Sequence, residues 1–392
     1  REQFERRLRR AGLTEADLSK ELHAPEVSMG SVAATDGVAN ITVTATDSLR
    51  SLKRLHAWVN GVPVEEFDVE GQQFEGVVSL PLNSGRNLIE VGVVNDQGVE
   101  SLRALTTVVQ GSVAKSNLHV IAIGVSDYRD DDLDLTYAHK DAQDLVQTLK
   151  ANGGSKPGQV FTHLLVNEQA TREGVLALKE IVQQIDIEDT LVLFVAGHGL
   201  HDEDPASTWY YLTHETELDN LAGSAVTFDA LQELLSECPA RKKLFLMDTC
   251  ESGELESEAN AVASLPAGMN ARTSKKLVQR AGASEGKSLV RGIDRDRYIY
   301  YDLLRRSGAI VFSSSRGSEF SYEDASIENG WFTEQLILAL TTDQADENRD
   351  HWVDSSELRR FVSPRVAERT GGRQNPTVDR DNVHQVVLLP LK

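Results

Sequence analysis

The chain has 392 residues, with 40 Lys and Arg against 61 Asp and Glu, a formal net charge of −21. At roughly 150 residues per domain there is room for two or three domains, each able to bury a core. Its 40% hydrophobic and 26% charged residues are those of a globular chain and exclude a disordered one. No apolar run approaches the ~20 residues of a membrane span. The acidic surplus disfavours non-specific nucleic-acid binding, which depends on Lys and Arg neutralising phosphates. Neither membrane nor nucleic acid is expected as a partner, and basic partners suit the chain better. Two cysteines, Cys238 and Cys250, cannot build a disulfide framework. With no signal-peptide pattern at the start, a reducing cytoplasm is the expected setting. The first residue is Arg1 rather than Met, which points to a fragment or a processed product.

Residues 1–25 place Phe4, Leu8, Leu13, Leu18 and Leu22 on one rough helical face and end at Pro25. So short an amphipathic piece needs a neighbour to cover it. From 26 to 111 the period changes. The segments 41–46, 55–61, 74–82, 87–96 and 104–110 alternate apolar and polar residues, with turn signals at Asn60-Gly61, Asn83-Ser84-Gly85 and Gln97-Gly98. This spacing predicts a small all-β sandwich of immunoglobulin-like type, and nothing in it suggests chemistry. From 117 to 392 strands and helices alternate. Strands are expected at 118–128, 160–166, 190–199, 243–250 and 308–315, and helices at 137–150, 172–185, 228–236 and 331–340. That is an α/β domain on a mostly parallel sheet.

In open parallel sheets ligands sit beyond the carboxyl ends of the strands. Two predicted strands end in reactive residues, one in Gly197-His198-Gly199 and the next in Asp248-Thr249-Cys250. An imidazole and a thiol at one sheet edge suit nucleophilic catalysis, because the thiolate attacks and the histidine lowers its pKa and protonates the leaving group. The N–H groups of Gly199 and Cys250 are candidate oxyanion donors. Each residue alone has a bland reading, a core thiol or a chance histidine; their joint placement carries the inference.

Residues 118–390 resemble the caspase-like cysteine peptidases, and within them the metacaspase and bacterial caspase-homologue branch. The resemblance lies in FVAGHGL (194–200), MDTCESG (247–253), YAHKDAQDL (137–145) and the segment from FSSSRGSEFSYED to NGWFTEQL (312–336). It implies that His198 is the general acid/base and Cys250 the nucleophile of a peptide-bond hydrolase that needs no cofactor for its chemistry. Ala196 and Glu251 depart from the family pattern without removing a catalytic atom. The preceding β-segment and short helix are similar to linkers between β-propellers and caspase domains of bacterial proteins. The resemblance also implies the substrate-binding residues. Animal caspases hold a substrate aspartate with arginines; here Glu323 stands in one such place, and Leu135 loosely in the other. Metacaspases use two aspartates, which correspond to Asp141 and Asp248, and the 312–315 segment contributes Ser313 and Ser314. Paired carboxylates in a partly desolvated pocket favour a cation and repel aspartate. Hydrolysis after Arg or Lys, on protein substrates with basic cleavage sites, is therefore expected.

Between Cys250 and the strand at 308 runs a connection far longer than an ordinary loop, about 251–306. Its second part is basic, with Arg272, Lys275, Lys276, Arg280, Lys287 and Arg291 among small residues. The family places its maturation linker here. Zymogen cleavage within about 270–292, by the chain itself or by an upstream protease, is the expectation; a merely solubilising insertion is the bland reading.

Residues 346–357 follow the EF-hand scheme, with Asp346, Asn348, Asp350, the Trp352 carbonyl, Asp354 and Glu357 as candidate Ca²⁺ ligands and Val353 at the apolar position. His351 replaces the turn glycine and would need a positive φ. Two other functions stay open from the residues alone. One is a metallohydrolase using His198, His201, Asp202 and Asp204, whose spacing matches no zinc geometry. The other is a catalytically silent adaptor. A role in bacterial defence or regulated cell death rests on the resemblance alone.

Overall fold

Alternation of buried and exposed side chains builds the strands of the first unit. In β2 (Val38–Thr46) the inward residues are Ala39, Ile41, Val43 and Ala45, the period of a sheet with one face covered. β1 (Glu26–Thr35), β2 and β5 (Gln73–Pro81) form one antiparallel sheet in the order β1-β2-β5. β4 (Val62–Asp68), β3 (Leu52–Val59), β6 (Gly85–Asn95) and β7 (Ala104–Gln110) form the other, in the order β4-β3-β6-β7. Both sheets contribute to a single apolar core that includes Ile41, Val43, Leu55, Leu80, Ile89 and Val91. The unit is an all-β sandwich. Asn60 and Gly61, both at positive φ, make the two-residue turn between β3 and β4. β1 and β4 were not expected from the sequence.

The structure is a computed structural model and describes residues 23–111, 116–153, 158–202, 208–252, 265–266, 268–274, 276–277, 307–316, 319–378 and 387–392, with the backbone alone at 250–252. The chain divides into two compact units, Arg1–Val113 and Ala114–Lys392. The helix expected at 1–25 falls almost wholly outside the described residues.

The second unit is α/β. Its sheet runs β9-β8-β10-β13-β15-β19. β8 (Leu118–Gly124), β9 (Val160–Val166), β10 (Thr190–His201), β13 (Lys242–Ser252) and β15 (Ile310–Ser313) are parallel, and β19 (Thr377–Val378) is antiparallel. Beyond the reach of β8, the end of β10 pairs with β11 (Trp209–Tyr211), which pairs with β12 (Val226–Thr227). The central strands carry apolar residues at consecutive positions because both faces are covered. Val120, Val192, Phe194, Leu244 and Leu246 pack under α1 (Ala138–Gly153), α4 (Trp331–Thr341) and α5 (Ser355–Arg369). Ile121, Leu193, Val195, Phe245 and Met247 pack under α2 (Arg172–Val182) and α3 (Phe228–Ser236). Thr171 caps α2 and Thr227 caps α3 by accepting N–H bonds from Gly174 and Ala230, leaving fewer orphan donors in the first turn. Beside the sheet, β14 (Met269–Ala271), β16 (Tyr322–Asp324) and β17 (Asn329–Gly330) make a small antiparallel sheet. β18 (Trp352–Asp354) pairs with β20 (Leu388–Pro390). Among the described residues no helix is long and apolar enough to cross a membrane.

Candidate active site

β8 leads to β9 on one side and has β10 on the other, so the strand order reverses between β8 and β10. The crevice beyond their carboxyl ends is the expected ligand position. There, His198 on β10 and Cys250 on β13 are direct register partners, as are Ala196 and Asp248. Gly197 precedes the histidine at φ +147, and a Cβ on it would lie 3.0 Å from the Tyr128 hydroxyl and 3.3 Å from that of Tyr211. The backbone conformation favours glycine, and a side chain would crowd the two hydroxyls.

His198 is fully buried. Its Nε2 donates to the Leu133 carbonyl at 2.8 Å, and its backbone N–H donates to the Tyr128 hydroxyl at 3.0 Å. The Tyr128 ring leans over the imidazole, centroids 5.2 Å apart. Burial lowers the His198 pKa to about 4, while the Leu133 carbonyl, the Glu323 charge and the Arg272 backbone pull it upward. The ring is thus neutral at pH 7. With Nε2 committed as a donor, Nδ1 is the basic nitrogen. Nδ1 makes no hydrogen bond of ordinary geometry, although the Arg272 carbonyl lies near enough to favour the charged ring.

A second constellation lies beside the first. Arg272 is fully buried, an expensive place for a guanidinium unless it is paired. Its Nη2 bonds to Asp141 Oδ2. Nη1 bonds to the Asp248 carbonyl at 3.0 Å and lies 3.1 Å from Asp248 Oδ1, and Nε lies 3.6 Å from Glu323 Oε2. The three carboxylates are buried too, and each is held by other donors. Asp141 Oδ1 accepts the Gly330 N–H at 2.9 Å. Asp248 accepts the Ser321 hydroxyl at 2.5 Å and the Thr333 hydroxyl at 2.8 Å. Glu323 accepts the Thr136 and Tyr137 N–H groups at 3.0 and 3.1 Å. Burial raises the Asp141 pKa and the Arg272 cation opposes that rise; the three anions hold the guanidinium firmly protonated. A Cβ on Gly330 would come within 2.6 Å of Arg272 Nη2, so glycine there leaves the room that the guanidinium fills.

The backbone around Arg272 is bound as well. Met269, Asn270 and Ala271 pair antiparallel with Asp324, Glu323 and Tyr322, and the Arg272 N–H donates to the Ser321 carbonyl at 2.8 Å. A segment of the chain's own linker thus lies as an added strand on β16, its basic side chain in an acidic pocket. Strand addition with a side-chain pocket is a common mode of peptide recognition.

The residues singled out from the sequence divide as follows. Asp141, Asp248, Glu323 and Arg272 meet one another, and His198 faces the Cys250 position. Ser313 and Ser314 are buried but touch other groups: the Ser313 hydroxyl donates to the Ser315 carbonyl at 3.1 Å, and the Ser314 N–H to the Met247 carbonyl at 2.8 Å. Lys275, Arg280, Lys287 and Arg291 lie outside the described residues, as does Asp204. Tyr128, Leu133, Ser321, Thr333 and Gln374 were missed. Gln374 joins Ser314, Ser321 and Tyr322 through three hydrogen bonds. Nothing in its polar surroundings marks it in the sequence.

The candidate Ca²⁺ loop lies within the described residues. His351 does take φ 65. Its neighbours' side-chain oxygens also accept from the loop's own amides. Asp346 accepts from Asp350 and His351, Asn348 from Asp350, and Asp350 from Trp352. Asp354 and Glu357 form the capping box of α5, and Glu357 also accepts from Glu347 and Asn348. Trp352 belongs to β18, whose partner is β20. Among the described residues no group of three or more His, Cys, Asp or Glu stands placed to hold a metal ion; Ca²⁺ binding by the 346–357 loop stays a proposal.

Comparison with known proteins now decides the family. The caspase domain family matches residues 118–387. The chain belongs to that family. A search of curated proteins finds no match. Solved structures similar to the chain include a Geobacter sulfurreducens protein, GSU0716, at 16% identity, covering 67% of this chain and 92% of that one with a TM-score of 0.45. Caspase-1 from Spodoptera frugiperda is similar at 16% identity, covering 68% of this chain and 88% of that one with a TM-score of 0.41. The caspase domain is one of cysteine peptidases acting on protein substrates. In this caspase domain the matched stretch contains His198, Cys250 and the whole Arg272 pocket.

Proposed function

We propose that the chain is a cysteine endopeptidase of the metacaspase type that cleaves after Arg or Lys, and that it is made as a zymogen whose own scissile bond joins Arg272 to Thr273. The observation that carries this reading is the buried Arg272 among Asp141, Asp248 and Glu323. The pocket is occupied by the side chain type it would select, on a strand paired as a substrate would be. A reading of Asp-specific cleavage has no support, since a fourth carboxylate there would be repelled.

The chemistry follows from the residues. The Cys250 thiol passes its proton to His198 and its sulfur bonds to the Arg272 carbonyl carbon. The carbon–nitrogen bond to Thr273 breaks as His198 returns the proton to that nitrogen. Water then adds to the thioester with His198 taking its proton; the carbon–sulfur bond breaks, the Arg272 carboxylate forms and the thiol is restored. The N–H groups of Gly199 and Cys250 would hold the oxyanion. Until the bond is cut, Arg272 keeps outside substrates from the pocket. A thiolate nucleophile suits a reducing compartment such as the cytoplasm. Placement in a bacterial defence or cell-death cascade, with an upstream protease able to start activation, remains part of this proposal.

Fluorogenic peptides ending in Arg, Lys or Asp test it, using chain already cut in the linker. Turnover after Arg and Lys, lost in Cys250→Ala, is expected. Turnover after Asp would refute the pocket.

A further inference from the structure

The segment beyond the Arg272–Thr273 bond is held as well, and the acidic pocket does not account for that. Lys276 Nζ lies 2.7 and 2.8 Å from the two carboxylate oxygens of Asp130 and 2.7 Å from Asp132 Oδ2. The next residue, Leu277, is fully buried. It belongs to the apolar cluster that also contains Tyr128, Leu133, Leu200 and Trp209. Upstream of both, the Ser274 hydroxyl accepts the Leu277 N–H at 3.2 Å.

The carboxylates are tied to the catalytic histidine through a short piece of backbone. Asp130 opens the 3-10 turn Asp131–Leu133 and accepts the Leu133 N–H on its carbonyl at 2.8 Å. The carbonyl of that same Leu133 fixes His198 Nε2. Asp134, which ends the turn, accepts the N–H of Tyr128, whose hydroxyl holds the His198 backbone. A cation docked on Asp130 and Asp132 therefore braces the turn that orients the imidazole.

We propose that Asp130 and Asp132, with the apolar cluster that takes up Leu277, form a primed-side subsite selecting a basic residue followed by an aliphatic one, four and five residues beyond the cleaved bond. The subsite rests on the reading of Arg272 as the residue before that bond. It widens the substrate class from any exposed Arg to an Arg followed at a fixed distance by a basic–aliphatic pair. Exposed ion pairs contribute little and buried leucines much. Leu277 is therefore the anchor, and Lys276 sets the register.

The test is the rate of self-cleavage of the full chain, followed by intact mass. Lys276→Glu is expected to slow it about five-fold, and Leu277→Ala about ten-fold. Asp130→Lys with Asp132→Lys should be as slow as Lys276→Glu, and combining all three should bring the rate back within about two-fold of wild type. Once cut, the Lys276→Glu chain should hydrolyse a short peptide ending in an Arg-linked fluorophore at the wild-type rate, because that peptide has no primed residues. Wild-type self-cleavage in both Lys276→Glu and Leu277→Ala overturns the subsite, as does a charge swap that gives no recovery. Arg272→Ala separates this failure from the other: if that variant is still cut between 272 and 273, the pocket reading itself is wrong. Should Leu277→Ala melt well below wild type, the Lys276 series decides alone.

Discussion

The two units bury polar side chains for different ends. In the sandwich, the buried polar groups build turns. Asp47 accepts the Leu49 and Arg50 N–H groups, and Asn87 bonds to the backbone of Asn83 and Gly85. Asn95 ties Gln97 and Val99 to Asp47. In the α/β unit, buried charges meet at the carboxyl edge of the sheet, where Asp141, Asp248 and Glu323 surround Arg272 beside His198. Local turn-building polar groups stabilise a fold and ask for no ligand. Charges gathered from distant parts of the sequence cost desolvation that a fold alone does not require, and such clusters mark functional sites.

The difference can be broken most sharply at the nucleophile. Cys250→Ala should abolish both self-cleavage and peptide hydrolysis, a loss of about 10⁴-fold or more, with the melting temperature unchanged; residual turnover would remove the thiol from the mechanism. Next in size is Asp248→Ala, which leaves Arg272 short of a partner and removes the carboxylate to which the Ser321 and Thr333 hydroxyls donate. Losing one partner of a buried pair costs about 3–5 kcal/mol, so hydrolysis after Arg should fall about 10²- to 10⁴-fold. Unchanged kinetics would dissolve the contrast between the units.

A third effect is read in stability. His198 is buried neutral with its pKa lowered to about 4, against about 6.5 in an unfolded chain. As pH falls below about 6.5, the unfolded state takes up the proton first, so the stability present above that pH is lost progressively down to about 4. In a Cys250→Ala background the loss should be on the order of 3 kcal/mol, and His198→Gln should flatten it. Equal acid slopes by chemical denaturation would contradict the buried neutral ring. The smallest effect belongs to the sandwich. Asn87→Ala should cost about 1–3 kcal/mol of that unit's stability and leave Arg-peptide hydrolysis unaltered; a change in turnover would mean that the sandwich takes part in catalysis.

Legibility in the sequence followed the range of the interactions. The strands β8, β10 and β13 were readable because both their faces are buried and their residues run apolar. α3 was readable because Thr227 starts it and its leucines recur at helical spacing. β1 has no buried residue and β4 has one, Val62, so neither shows the alternation that marks a half-buried strand. β14 and β16 were hidden for another reason. Glu323 and Asp324 are poor strand formers, and they become a strand by pairing with the linker on one side and Asn329–Gly330 on the other. Asp141, Asp248, Glu323 and Arg272 were each singled out from the sequence, by family resemblance or by their place in a basic loop. That they hold one another depends on three-dimensional closure of elements far apart in the chain. At 346–357 the pattern is local, and its side chains bond within the same loop and the helix it leads into.

The central claim is that Arg272 sits in the pocket as a substrate. Intact-mass analysis of wild type, Arg272→Ala and Cys250→Ala chains tests it directly. The account predicts that wild type yields one fragment ending at Arg272 and another beginning at Thr273, while both variants keep that bond intact. Wild type that stays uncut at this bond, or an Arg272→Ala chain cut there as readily, would contradict it.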